Sequence, residues 1–206
     1  TNNSARTAKQ FFWDINNQFD NPLNSSQDSS LQIFPNETTT YFLKGQNELT
    51  SLHLKDNKIR HFTILTSLEN LSVLDLSHNE IKNIDSLISM SQLTFLQISH
   101  NQITDITPIS NFKHLIQLLI SNNEINDISA LASMKQLCIL ALEYNKIEDI
   151  SPLKNLVYLQ ELWLNNNHIK DISPLGQYPN MRKLKLSNSR PKSPMEVIFC
   201  RNNQSS

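Results

Sequence analysis

Histidine and cysteine are the residue types in this chain best suited to chemistry, with six of the first and two of the second. His78 and His100 stand 22 residues apart, and stacking of adjacent strands would bring their imidazoles to about 5 Å, with Asp75 on the same face. Two imidazoles and one carboxylate fall short of a closed zinc set, so solvent or partner contact is expected there and no metal is assigned. Cys138 has no base close by in sequence and precedes a strand, which suits a half-buried thiol rather than a nucleophile. Only Gly45 and Gly176 represent glycine, and no phosphate-cradling loop, His-Glu-x-x-His helix or nucleophile elbow is present. No catalytic residue and no cofactor are assigned, and the chain is expected not to be an enzyme.

The elements that position these residues come from a repeat. A period of 22 residues runs from Leu49 to about Leu186. Each unit opens as Leu49-Leu52-Leu54-Asn57-Ile59 does, and the pattern recurs from Leu71, Leu93, Leu115, Leu137 and Leu159 before a seventh copy begins at Met181-Leu184-Leu186 and fades at Ser189. Alternation in this half predicts a short strand with leucines inward and the residues between them outward. The second half, as in Asp105-Ile106-Pro108-Ile109-Phe112, predicts a short 3₁₀ or helical turn packed inward on the opposite, convex side. One unit cannot cover its own apolar face, whereas stacked units share a continuous ladder of Leu and Ile. A polar side chain repeated on the inward turn must have its donors and acceptor paired, so Asn57, Asn79, Asn101, Asn123, Asn145 and Asn167 are expected to bridge adjacent units.

A stack of this kind needs ends. Residues 1–48 are read as an N-terminal cap, with Ser4 capping a helix over about 4–20 whose Ala8, Phe11, Phe12, Ile15 and Phe19 share one face, then a polar loop and irregular strands. Residues 49–189 hold six complete units and one fading unit, and 190–206 form a thin C-terminal cap and tail in which Met195 to Cys200 covers the last unit.

Charge and hydropathy narrow the partner. With 18 basic and 19 acidic residues, there is no cationic excess for phosphate counterion release, which argues against nucleic acid or an anionic membrane surface. No apolar run reaches the roughly 20 residues of a membrane helix, and the first residues lack a basic-then-apolar leader pattern. Cys138 and Cys200 alone cannot supply a disulfide framework.

The pattern L-x-x-L-x-L-x-x-N-x-I-x-D-I-x-P-L, seen from Leu159 to Leu175, resembles the 22-residue repeats of bacterial internalins and of repeat subunits that regulate protein phosphatases. The resemblance covers about two-thirds of the chain. It implies an α/β solenoid, a right-handed leucine-rich-repeat horseshoe with a parallel concave sheet, short 3₁₀ or helical convex turns and an N-terminal helical cap. It also implies a non-catalytic module that binds a protein partner on the concave face, as a monomer or in a heterodimer. The absence of a wall-anchoring signal and of an immunoglobulin-like domain is similar to leucine-rich effectors of intracellular bacteria. That points to a secreted effector acting in the host cytoplasm and masking or regulating a partner enzyme. An internalin-like surface adhesin and a targeting domain of a larger enzyme are the alternatives.

If the leucines are inward, partner contact falls to the outward places. Phe95, Leu119, Ile139, Tyr144 and Trp163 are expected to gather into an apolar ridge across four adjacent units, Trp163 and Leu119 outward between inward leucines. Val73, Phe95 and Ile139, at the strand edge, have a second reading as packing against neighbouring units. Glu143 and Glu161, with Lys183 and Lys185 beyond them, are expected to face a basic group on the partner.

Overall fold

The computed structural model describes residues 49–175 and 178–188. Seven three-residue strands form one parallel sheet in sequence order: β1 (Ser51–His53), β2 (Val73–Asp75), β3 (Phe95–Gln97), β4 (Gln117–Leu119), β5 (Ile139–Ala141), β6 (Glu161–Trp163) and β7 (Lys183–Lys185). Register is strict, so Leu52, Leu74, Leu96, Leu118, Leu140, Leu162 and Leu184 stand side by side. Between strands the chain returns through 3₁₀ turns, among them Asp85–Ser89, Thr107–Ile109, Ser129–Ser133 and Ser151–Asn155. The chain is thus the expected leucine-rich-repeat solenoid. The expected N-terminal helix, loop and irregular strands, and the C-terminal cap, lie outside the described residues.

Between sheet and turns runs one core from Leu52 to Leu175 made almost wholly of leucine and isoleucine, with Phe62, Phe112, Met90 and Met134 filling places on the convex side. Every strand is too short to stand alone, so its stability comes from this shared burial.

The asparagine ladder holds the rungs in register. Asn123 Nδ2 donates to Ile98 O at 3.2 Å in the preceding unit and to Ile120 O at 3.1 Å in its own, while Oδ1 accepts from Ile103 N at 3.0 Å. Asn79, Asn101, Asn145 and Asn167 repeat this arrangement. Asn57, in the first described rung, donates from Nδ2 to Lys55 O at 2.9 Å, and its backbone N–H donates to Asn79 Oδ1 at 3.1 Å.

A second ladder was not anticipated. Asp105, Asp127, Asp149 and Asp171 each accept, at 2.8 Å, the backbone N–H two residues later and so start the 3₁₀ turns. Side-chain hydrogen bonds from Thr107 and Ser173, followed by these backbone bonds, hold the Asp105 and Asp171 carboxyls below the ordinary aspartate value.

Candidate functional site

Strand alternation turns two residues per rung away from the core, so the register generates two outward columns. In the first, Phe95 and Ile139 are separated by Gln117; in the second, Leu119 and Trp163 are separated by Ala141. The expected continuous ridge is therefore two staggered columns. Phe95, Leu119, Ile139 and Trp163 are each half-buried, because parallel neighbours about 4.8 Å away cover their flanks. Between Leu119 and Trp163 the small side chain of Ala141 is only 3% exposed, covered by its neighbours.

Charges crowd the C-terminal end of this face. Lys183 and Lys185 place their ammonium groups 4.8 Å and 4.3 Å from the Trp163 ring centroid. Lys183 also lies 3.8 Å from Glu161, and Lys185 3.8 Å from Glu143. Both glutamates thus have lysine counterions within the chain, Glu161 from the next rung and Glu143 from two rungs on, since β7 carries its lysines at the outward places. Glu143 is further fixed by Asn165, whose Nδ2 donates to Oε1 at 2.7 Å. The Trp163 Nε1–H is buried and has no acceptor among the described residues.

Just past the strands, the backbone of every rung turns through a left-handed residue: Asp56, His78, His100, Asn122, Tyr144, Asn166 and Asn188 all have positive φ. Asparagine and aspartate tolerate this conformation, whereas a bulky aromatic there is uncommon. Tyr144, at φ 54°, nevertheless stands 56% exposed on the rim of the face.

At the other end of the rim the His78 and His100 rings stack with centroids 4.0 Å apart and planes 16° from parallel. His78 Nδ1 lies 3.8 Å from Asp56 Oδ1, and among the described residues no group of three His, Cys, Asp or Glu is placed to hold a metal. Burial, the neighbouring His78 and Lys55 push the His100 imidazole below its ordinary value, with Asp56 opposing. Cys138 is a half-buried free thiol whose Sγ lies 3.6 Å from Gln136 O. A cleft of about 230 Å³ between Thr104–Thr107 and Asn126–Ala130 lies where the 3₁₀ turns begin, away from the outward columns.

Sequence reasoning missed the burial of Ala141 within the outward column, the lysines over Trp163 and the acceptor-free indole. The first was visible as the column Leu119-Ala141-Trp163; the other two depend on rotamers that no spacing encodes.

The sequence profile described as Leucine Rich repeats (2 copies) matches residues 69–111, 91–133, 135–175 and 159–199. Among solved structures, the chain is similar to an internalin (inlF) of Listeria monocytogenes, with 34% identity and a TM-score of 0.71 over 74% of this chain and 45% of that one. An internalin C2 (inlC2) of the same organism matches at 32% identity and a TM-score of 0.66, covering 71% of this chain and 74% of that one. A leucine-rich-repeat protein of Leptospira interrogans matches at 25% identity and a TM-score of 0.68, covering 73% and 40%. The chain thus spans less than half the length of the inlF and Leptospira structures. No curated protein sequence matches it. No helix among the described residues is long and apolar enough to cross a membrane.

Proposed function

Because the chain belongs to the leucine-rich-repeat family and its repeats are internalin-like, we propose that it holds a protein partner against its concave sheet and carries no chemistry of its own. The leucine-rich-repeat fold is in general a protein–protein interaction module, since stacking produces a broad curved surface. The contact is centred on Phe95, Leu119, Ile139, Tyr144 and Trp163, with Glu143, Glu161, Lys183 and Lys185 around them. Tyr144 carries this reading. Asparagine at the equivalent places 122, 166 and 188 meets the same left-handed backbone at lower cost, and the exposed ring gains little from packing. An aromatic kept at such a position is accounted for by a surface that covers it.

The same reading extends to the setting: a bacterial effector, monomeric until it forms a heterodimer, that masks or regulates an enzyme. Similarity to Listeria internalins supports the bacterial part of this setting.

The test begins with cross-linked capture of the partner and calorimetric titration. Trp163→Ala is expected to weaken binding by about 2 kcal/mol or more with the unfolding midpoint nearly unchanged, and Tyr144→Ala and Leu119→Ala to act in the same direction. Full affinity in the Trp163 variant, or collapse of its fold, refutes the site. If the captured partner is an enzyme whose activity the chain leaves unaltered, the masking role is wrong.

A further inference from the structure

The balance of 18 basic and 19 acidic residues argues against an anionic membrane only if the charges are evenly spread, and the fold sorts them. Each rung has two flanks, one where the chain enters its strand and one where it leaves. On the leaving flank, Asp105, Asp127, Asp149 and Asp171 stand one rung apart at the starts of the turns, and Lys146 and Lys170 are paired with Glu124 and Glu148. On the entering flank, residues 110–116, 132–138 and 154–160 contain Lys113, Lys135 and Lys154 and no Asp or Glu. All three lysines are exposed, and among the described residues no ion pair includes them.

Packing dictates which side chains this flank presents. In each of these rungs two residues form an exposed corner between two buried anchors, as Lys113 and His114 do between Phe112 and Leu115. A backbone hydrogen bond joins the anchors behind the corner, Leu115 N–H to Phe112 O at 3.3 Å, so the two corner side chains are turned to water whatever their type. Two rungs later the same corner, closed by Leu159 N–H to Leu156 O at 3.1 Å, holds Val157 and Tyr158, 44% and 52% exposed. Ile116, at 43%, is a second apolar residue without a packing reason: Thr50, Ser72 and Thr94 fill its place in the first three rungs. Exposed apolar side chains thus share this flank with the unpaired lysines, Ile116 and Tyr158 lying about 10 Å apart by strand spacing.

We propose that the entering flank of the fourth to sixth rungs docks edge-on against an anionic lipid membrane, with Lys113, Lys135 and Lys154 at the headgroups and Ile116, Val157 and Tyr158 dipping between them. Strict register sets equivalent residues of successive rungs in a row, which suits an occupant that is itself a plane. A membrane answers both features at one surface: negative headgroups for ammonium groups that lack carboxylates, and hydrocarbon just beneath for apolar side chains. Lysine stems lie along apolar surface while their ammonium groups stay in water, and a tyrosine ring sits at the same depth. An acidic protein would answer the lysines, but the apolar side chains are spread among them instead of gathered into the desolvated centre that protein interfaces use. Docking on this flank leaves the concave sheet open, so the proposal goes beyond the concave-face reading and does not depend on it.

The experiment is co-sedimentation of the full chain with vesicles of phosphatidylcholine and phosphatidylserine, against vesicles of phosphatidylcholine alone. The chain is expected to pellet with the anionic vesicles at low salt, to be released as salt rises, and to ignore the neutral ones. The triple variant Lys113→Gln, Lys135→Gln, Lys154→Gln is expected to lose about tenfold or more in partitioning. A second triple variant, Ile116→Thr, Val157→Ser, Tyr158→Gln, keeps the charges and is expected to lose several-fold. Since all six positions are exposed, both variants should melt at the parent's midpoint, which separates lost binding from lost fold. Trp163→Ala, on the concave face, is expected to pellet as the parent does. Absence of pelleting with anionic vesicles at low salt overturns the proposal, as does equal pelleting with neutral ones. Pelleting that the lysine variant leaves intact, or that Trp163→Ala abolishes, places the membrane contact elsewhere on the chain and overturns it too. Full binding in the apolar variant overturns the docked face in favour of loose electrostatic attraction. If no vesicle binds and the lysine variant instead loses the captured protein partner, the occupant of this flank is an acidic protein. None of these outcomes decides the concave-face reading, which rests on partner titration with Trp163→Ala.

Discussion

His78 and His100 occupy left-handed backbone positions, φ 54° and 56°, where Asn122 and Asn166 stand in later rungs. Their spacing was legible in the sequence as two imidazoles one unit apart; their face-to-face stacking was not, because spacing does not encode χ angles. Burial comes first among the causes that lower the His100 value, followed by the positive neighbours. The folded chain therefore binds this proton less readily than the unfolded chain, whose histidine sits near 6.5. Stability from keeping His100 neutral is full above pH 6.5 and is lost as the pH falls through 6.5 towards the lower folded value. His100→Asn removes the titration and suits the positive φ. Thermal melts between about pH 5 and pH 8 should show a flatter acid limb in that variant, and an acid limb as steep as the parent's would sink this account.

Single elements in this fold are too small to carry information alone. Three residues of strand or of 3₁₀ turn have no stability of their own, yet all seven strands were legible because each is specified again by its neighbours: Leu118 is read as inward from Leu96 and Leu140 as much as from its own surroundings. The asparagine bridges were legible for the same reason, since a buried amide at that place must find its partners in backbone of its own and the adjacent rung. The aspartate starts of the turns were overlooked, although Asp105-x-Thr107, Asp127-x-Ser129, Asp149-x-Ser151 and Asp171-x-Ser173 display the spacing of an Asx turn. Asn123→Leu tests the bridge. It removes one donor each from Ile98 O, Ile120 O and Ser121 O, which keep Asn101 Nδ2, Asn145 Nδ2 and His100 N–H, and it leaves Ile103 N–H buried without its acceptor. The expected cost is about 2 kcal/mol in denaturant unfolding. A variant as stable as the parent would show that water or leucine packing replaces the ladder.

Taken whole, the molecule is a one-dimensional stack, and this governs how damage spreads. Each described strand pairs only with the strands before and after it in sequence, and the buried leucines meet mainly across those pairs. Substituting one of them removes burial and leaves a cavity, so Leu96→Ala, Leu118→Ala, Leu140→Ala and Leu162→Ala should each cost about 3 kcal/mol. Their combinations distinguish a stack from a globular core. Leu118 and Leu140 are partners in register, so their cavities merge and the double variant should depart from the sum of the singles by about 0.5 kcal/mol or more. Leu96 and Leu162 are separated by both of them, roughly 14 Å apart by strand spacing, and their costs should add to within about 0.5 kcal/mol. Denaturant titrations of the four singles and two doubles decide the matter. Strong coupling at the distant pair would mean that the rungs respond as one body, and a partner seated on β4–β6 would then alter the stack as far away as β1; additivity confines its effect to the rungs it touches.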